Sequence, residues 1–443
     1  MNIKNKSQFI EYFAKGIKAP SNLKIGVEHE KFLFEGKDKK RIDYTKLKKI
    51  FENLKKNKWE PIEEKNNIIG LKKKNKQITT EPGLQCELSG EPLDNIHQVC
   101  SESSNYQKEI KEASQGLDIR TASIGFDPFN NIKDIPRSPK ERYKIMTDEM
   151  PKGGELSLDM MYRTCGIQIN FDYTSEKNFE QIFRIGNYLA PITIAIFANS
   201  PFKNNNLSGF LSYRNKVWQE TSRGGIMPIA FESISFEKYF DFVINYPILF
   251  AIRDKKYIKP NGQTFKDFIE GKYKNLKVEA NLKDFEIHLA TIFTEVRLKQ
   301  YVEVRTLDTC DWGCVCNGPA FFTGMFYGNV EEVFNIVKKW KKENVMQAYF
   351  KAPTQGLSTE LEGKKLYEWA EIFFKIAKNG LIERKKKNSE NKDETIYLKH
   401  IEDIIKKKTN RAQILINKYK IDGNLNFLND EKEDFSYSGI QNR

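Results

Sequence analysis

The chain has 443 residues, of which 39% are hydrophobic and 30% charged, with 31 Phe and 19 Tyr. So aromatic a composition excludes wholesale disorder, and at about 150 residues per domain the length allows roughly three domains or one large sheet-based unit. The formal charge of +13 invites a nucleic-acid partner, but only 14 of the 73 basic residues are Arg and the Lys residues are scattered in short runs. That pattern reads as a solvated basic surface, without a nucleic-acid partner.

The longest largely apolar run, Tyr188 to Phe197, holds about ten residues against the roughly 20 a membrane helix needs, so no membrane association is expected. Met1 to Phe13 lacks the apolar stretch of a signal peptide, which gives a cytoplasmic expectation. Six cysteines in so long a chain are too few for a disulfide scaffold, and reduced thiols are expected. Where most cations are Lys, a retained Arg points to a site where the planar fork matters. Arg163, Arg214, Arg297 and Arg305 stand out.

In chain order, residues 1–22 read as a helix and linker, Lys24 to Phe34 as a strand, and Tyr44 to Asn57 as an amphipathic helix. Ile68 to Thr80 reads as paired short strands, and Pro82-Gly83 turns the chain into Leu84 to Leu88. Asp94 to Ala113 has helical spacing, Ser123 to Pro128 reads as a short strand, and the proline-rich, charged stretch to Pro151 as a surface excursion. Gly166 to Tyr173 alternates as a strand and 176–199 runs as a helix. Tyr239 to Ile252, Thr264 to Glu270 and Leu282 to Thr291 look helical, and Gln300 to Leu307 returns to strand. From Asn329 the pattern is helical and charged, becoming polar after Asn388. The division expected is a mixed α+β catalytic unit over 1–330 and a helical C-terminal region over 331–443, packed on or continuing it.

Strand parity carries the chemistry. Glu28 and Glu30 share one face while Val27 and His29 take the other, with the two acids about 7 Å apart. Glu81 precedes the Pro-Gly turn, and Gln85 and Glu87 share a face of the returning strand. Gln168, Asn170 and Asp172 oppose Ile167, Ile169 and Phe171, and Tyr301, Glu303 and Arg305 oppose Val302 and Val304. A sheet built from these segments is oily below and acidic above. Crowded carboxylates need cations, and oxygen ligands suit Mg²⁺ or Mn²⁺ shared with phosphates. Each segment alone equally fits the exposed side of a half-buried strand. No GxxxxGK[ST] loop and no GxGxxG follows a strand, so a nucleotide would be held by other means. His29 is expected in the core, and Cys310, Cys314 and Cys316 lack the spacing of a structural zinc site.

The runs Ile25 to Phe32, Thr80 to Gly90, Leu158 to Asp172, Phe197 to Phe202 and Glu295 to Arg305 resemble, in order and spacing, the motif set of the plant-type glutamate–cysteine ligases, which bacteria also carry. The resemblance covers roughly residues 20–330. It implies a glutamine-synthetase-like fold, a curved antiparallel sheet forming a funnel surrounded by helices. It also implies ATP-dependent joining of L-glutamate, through its γ-carboxyl, to L-cysteine by way of a γ-glutamyl phosphate, the first step of glutathione biosynthesis. A related carboxylate–amine ligase with another amine acceptor is the alternative.

Carried onto matching positions, the resemblance implies Glu28, Glu30, Glu81, Glu87, Gln168 and Glu303 as Mg²⁺ (or Mn²⁺) ligands. Arg305 would stabilise the phosphoryl group and contact ATP, with Glu303 beside it in catalysis. Arg163 and Arg214 would grip substrate α-carboxylates, with Arg297 there or structural. Tyr257, Met160 and Trp218 are further pocket residues. Cys86 and the run Leu307 to Cys316 depart from the family pattern, and Cys316 matches one partner of a plant redox disulfide without an evident second; redox control is not expected. Glutamate and cysteine are the expected partners of a monomer or homodimer.

Overall fold

The computed structural model describes residues 6–36, 39–259, 262–272 and 279–428, and of Trp312 and Gly313 the backbone only. Its centre is an antiparallel sheet of nine strands: β1 Ile25–Glu35, β2 Glu60–Glu64, β3 Asn67–Lys73, β4 Lys76–Thr80, β5 Cys86–Ser89, β6 Ile119–Ala122, β7 Gly166–Phe171, β8 Val296–Leu298 and β9 Val302–Asp308. They lie in the order β8-β9-β7-β1-β5-β4-β3-β2, with β6 paired to the far half of β1. β1 is long enough to serve two sets of neighbours: Ile25–His29 pair with β7, Glu28–Lys31 with β5, and Phe32–Glu35 with β6.

The two-residue period decides which side chains are buried. Val27, Ile167, Ile169, Phe171, Val302 and Val304 point into the main core, where the helices α6 Glu176–Tyr188 and α7 Ala190–Phe197 cover them. The helix α7 is apolar all round because it is buried all round. A second core joins Leu33, Leu71, Ile78 and Leu88 of the sheet to Leu47, Ile50, Phe51 and Leu54 of the helix α2 Tyr44–Leu54. Residues beyond 331 contribute Val333, Phe373, Ile401 and others to the main core. There the backbone of Gly324–Gly328 meets the helix Leu366–Arg384 without side chains between them. A Cβ at Gly324 would fall onto the carbonyl of Ala377, and one at Gly380 onto the carbonyl of Gly324.

Several expectations shift. The strand foreseen over Ser123–Pro128 lies earlier, at β6, and the segment itself makes one isolated bridge, Phe126 to Thr164. The strand β2, exposed at Glu60, Pro61 and Glu63 and with Ile62 its one aliphatic residue, gave no apolar alternation to read. The helix foreseen over 176–199 is two, separated at Leu189 with Pro191 opening the second. The helix foreseen over Tyr239–Ile252 covers only Phe236–Val243, and the chain then enters a hairpin of Ala251–Arg253 with Lys256–Ile258. The polar tail forms helices at Lys399–Lys407 and Arg411–Asp422. The stretch foreseen as a surface excursion carries a helix, α4 Glu141–Glu149, whose Tyr143 and Met146 are buried.

The cysteine expectation is overturned. Cys100, in the helix α3 Ile96–Ala113, is bonded to Cys316, and Cys310 to Cys314, each pair with Cα atoms 5.7 Å apart; Cys86 and Cys165 are free and buried. Among the described residues no helix is long and apolar enough to cross a membrane.

Because neighbouring backbones leave no room for a methyl group, Gly324→Ala is expected to lower stability by about 1–3 kcal/mol through overpacking. Chemical denaturation should read this as an earlier midpoint with an unchanged slope; an unchanged midpoint would show that the two segments part at no cost.

Candidate active site

The polar face of the sheet is arranged in rows that cross the strands. One row runs Gln77, Ser89, Glu28, Gln168; the next runs Thr79, Glu87, Glu30; a third joins Asn170 to Glu303 and Glu303 to Arg297. These rows floor a cavity of about 410 Å³ that is lined by Glu28, Glu30, Glu81, Glu87, Gln168, Arg297, Lys299 and Arg305. Its walls come from outside the sheet. The helix α4 supplies Arg142, Tyr143 and Met146; the helix α5 Ser157–Arg163 supplies Met160 and Met161; the hairpin supplies Ile252 and Tyr257; and the helix α8 Tyr213–Gln219 supplies Trp218. The volume suits small-molecule substrates.

Two banks of opposite charge face each other on this floor. On one, Glu303 is fully buried, accepting from Arg297 Nε at 2.8 Å and lying 3.1 Å from Lys299 Nζ, while Arg305 Nη1 donates to its other oxygen and to Gln168 Oε1. Burial works to raise the Glu303 carboxyl, but Arg297, Lys299 and Arg305 hold it well below the usual range. Glu303 therefore departs from the role of metal ligand. It does not line the cavity, and both its oxygens are engaged by cations whose orientation it fixes.

On the other bank the acids lack such partners. Glu30 accepts from Gln168 Nε2 at 3.0 Å and from the Gly166 N–H at 2.5 Å, and Glu28 accepts from Asn170 Nδ2 at 3.1 Å. Burial and the charge of Glu81 push Glu30 up to about 7, and burial with Glu81, Glu28 and Glu30 pushes Glu87 well above the carboxylate range. Glu81 is the exception. Burial would raise it, but Lys140 and Arg142, with the Tyr143 hydroxyl 3.1 Å from each of its oxygens, hold it below the ordinary value.

Among the described residues no three His, Cys, Asp or Glu side chains stand together as a ready metal-binding group. The donor set nonetheless has the chemistry of a hard-cation site: Glu28, Glu30, Glu81, Glu87 and Gln168 line one cavity, and Glu81, Glu28 and Glu30 all press their charge on Glu87.

Arg163 and Arg214 do not line the cavity. Arg163 is spent on Asp159 at 3.1 Å, the Asp127 carbonyl and Asn204 Oδ1. Arg214, 1% exposed, donates from Nη2 to the Arg305 carbonyl at 3.0 Å and supports the strand from behind. Arg297 reaches the cavity but also donates to the carbonyls of Ala290 and Ile292, which fixes it in place. Gln85 holds the turn, donating to the Met161 and Thr164 carbonyls at 3.1 Å each. His29 is fully buried on the core face.

Lys299, Arg142 and Tyr143 are the site residues the sequence reading missed. Lys299 shares the parity of Arg297, Glu303 and Arg305, and Arg142 is one of the rare arginines, so both carried a signal. The strand β9 and the helix α8 are locked by Asp308, whose carboxylate accepts from Ser200 Oγ at 2.7 Å, the Asn199 N–H at 2.8 Å, Ser212 Oγ at 2.9 Å and Asn215 Nδ2 at 3.2 Å.

An antiparallel sheet whose acidic face opens on one cavity, backed by helices, is the α+β architecture expected of a glutamine-synthetase-like ligase. A glutamate–cysteine ligase from Francisella tularensis, crystallised with AMP, has this fold: the superposition covers 94% of this chain and 88% of that one, with a TM-score of 0.55 and 16% identity. The chain belongs to the glutamate-cysteine ligase family 2 (GCS2), whose model matches residues 24–431. It is 39% identical over 422 residues to a chloroplastic glutamate–cysteine ligase B of rice, covering 94% of this chain and 84% of that protein. It is 38% identical over 421 residues to the chloroplastic enzyme of Arabidopsis thaliana, covering 94% and 80%.

A raised carboxyl binds its proton more tightly folded than unfolded, so the stability it contributes is present in acid and is lost as pH climbs from about 4.5 to about 7. Glu303 acts oppositely, its contribution being lost only as pH falls below the ordinary carboxylate range. Chelator-treated protein is therefore expected to melt lower at about pH 7.5 than at about pH 5, and Glu30→Gln to remove part of that loss. A melting temperature that rises over this window would contradict the assignment.

Proposed function

We propose that the protein joins L-glutamate to L-cysteine through the glutamate γ-carboxyl, at the expense of ATP, in the first step of glutathione biosynthesis. The observation that carries this reading is the bipolar floor, acids on β1 and β5 facing three cations on β8, β9 and their connection, within one substrate-sized cavity of a family member. The γ-carboxylate attacks the γ-phosphoryl of ATP, giving γ-glutamyl phosphate and ADP; the cysteine amine then displaces phosphate and loses its proton.

Phosphoryl transfer is mostly positioning and charge neutralisation, and this chain supplies both. Glu303 and Gln168 fix the Arg305 guanidinium, which faces the cavity and meets the charge that develops on the phosphoryl oxygens. Arg297 and Lys299, held by the same carboxylate, line the floor beside it and favour anionic substrates there. The walls of Met146, Met160, Phe250 and Phe293 shield the acyl phosphate from water.

Glu28, Glu30, Glu81, Glu87 and Gln168 would hold Mg²⁺ or Mn²⁺, which when bound neutralises these acids and the polyphosphate. The raised carboxyls support this reading, since a bound cation offsets the burial and repulsion that disfavour their charged forms.

Purified protein incubated with Mg²⁺, ATP, glutamate and cysteine should yield γ-glutamylcysteine by mass spectrometry, with cysteine preferred over alanine and 2-aminobutyrate. Preference for another amine would leave only the broader ligase reading. Arg305→Lys is expected to lower kcat about 10²-fold or more, because a point charge does not replace a fork shared between Glu303 and Gln168. Calorimetry of Mg²⁺ binding near pH 7, in buffers of different ionisation enthalpy, should register proton release. Binding without proton release would remove Glu30 and Glu87 from the ligand set.

A further inference from the structure

The turn that presents Glu81 is strained. Leu84 holds φ at +61°, in the left-handed region that a leucine seldom adopts, with its side chain fully buried in the second core. Such a conformation persists only where the surroundings over-determine it. Within the turn the Glu81 N–H donates to the Gln85 carbonyl and the Leu84 N–H to the Glu81 carbonyl, both at 2.9 Å. The Gly83 N–H donates to Gln85 Oε1 and the Ser138 N–H to the Pro82 carbonyl, again at 2.9 Å. A further tie comes from Arg41, a cation with no part in the proposed chemistry. It bridges back to Phe34 of β1, is 2% exposed and does not line the cavity. Its guanidinium carbon lies 4.6 Å from the Phe32 ring. Nη2 donates to the Gly83 carbonyl, and Nη1 donates to the Tyr162 carbonyl at 3.3 Å and to Asp127 Oδ2 at 3.4 Å. Asp127, fully buried, is itself fixed by the N–H groups of Phe129 at 2.9 Å and Asn130 at 3.0 Å. One guanidinium thus joins the Glu81 turn to the helix α5, whose Met160 and Met161 line the same cavity.

We infer that Arg41 is a positioning residue for the acidic bank: its fork clamps the Pro82-Gly83 turn to α5 and thereby sets where the Glu81 carboxylate stands in the cavity. The inference rests on the proposed reading of Glu81 as a ligand of Mg²⁺. A lysine at this position would carry the charge for Asp127 but not the planar fork that reaches two carbonyls at once. Without the fork, Leu84 is free to leave the left-handed region, and the turn carries Glu81 with it. Mg²⁺ demands near-ideal ligand geometry, so a small displacement of one carboxylate weakens its binding. Arg297, Lys299 and Arg305 are fixed by Glu303 on other strands, so the opposite bank keeps its place.

The test is calorimetry of Mg²⁺ binding to the full chain as the parent, Arg41→Lys, Glu81→Gln and the double variant, with glutamate kinetics at saturating Mg²⁺ alongside. Arg41→Lys is expected to weaken Mg²⁺ binding about tenfold, with KM for glutamate within about twofold, and to weaken it no further in the Glu81→Gln background. A role in stability alone would lower the melting temperature and leave the Mg²⁺ affinity in place. Unchanged affinity in Arg41→Lys, or a loss that adds in full to that of Glu81→Gln, overturns the inference. Should Arg41→Lys fail to fold, Arg41→Met combined with Asp127→Asn removes both buried charges together and carries the same comparison. Hydrogen exchange of the unmodified chain gives a reading that needs no variant: the 81–85 segment is expected to exchange as slowly as β7, and fast exchange there overturns the clamp. A parent whose Mg²⁺ binding is untouched by Glu81→Gln would instead overturn the ligand reading of Glu81, and the exchange measurement alone then decides whether the clamp stands.

Discussion

The site rests on one buried carboxylate. Glu303 has no exposed surface and accepts three cations, each from a different position along one hairpin: Arg297 across the register, Lys299 at its turn and Arg305 two residues on. Removing one partner of such a buried group typically costs 3–5 kcal/mol, since the remaining charges are left without compensation. The cations are thereby desolvated and oriented before any substrate arrives, a condition under which fixed charge acts most strongly on a transition state.

The acids on β1 and β5 complete the arrangement by being undercompensated. Charge on one bank is satisfied and rigid, while on the other burial and mutual repulsion raise the carboxyls of Glu30 and Glu87 and disfavour their charged forms. That asymmetry gives the floor a direction, with anionic oxygens drawn to the arginines and hard cations to the glutamates. Trp218 belongs to the satisfied bank, its ring 5.1 Å from the Arg305 guanidinium carbon.

Much of this was legible because a strand has a period of two. Once Ile25–Lys31, Gly166–Phe171 and Val302–Asp308 are read as strands with an apolar face, the company of Glu28, Glu30, Gln168, Glu303 and Arg305 on the other face follows without coordinates. Burial depth does not follow. Arg163 and Arg214 have the same chemistry as Arg305, but their partners, Asp159 and the Arg305 carbonyl, turn them away from the cavity. The helix α4 escaped notice because its charges and the prolines that flank it look like those of a solvent loop, while its contribution depends on Glu81, about 60 residues away in sequence, receiving Tyr143. The pairing of Cys100 with Cys316 joins positions 216 residues apart and leaves no local trace.

The two sides of the cavity are fastened differently. Behind Arg305 and Trp218, Asp308 ties β9, α8 and the turn after α7 through four buried hydrogen bonds. Opposite them, the hairpin bearing Ile252 and Tyr257 is secured at its flanks by ion pairs, Arg253 with Asp284 and Lys259 with Asp148 and Glu149, the last cation being 45% exposed. The exposed Lys259 pairs contribute at most about 1 kcal/mol each, whereas the Arg253 pair is bidentate onto a buried carboxylate. The cavity thus has two kinds of wall: one tied to the sheet through a buried carboxylate, the other held by the apolar packing of Phe250 and Tyr257 with ion pairs at its flanks.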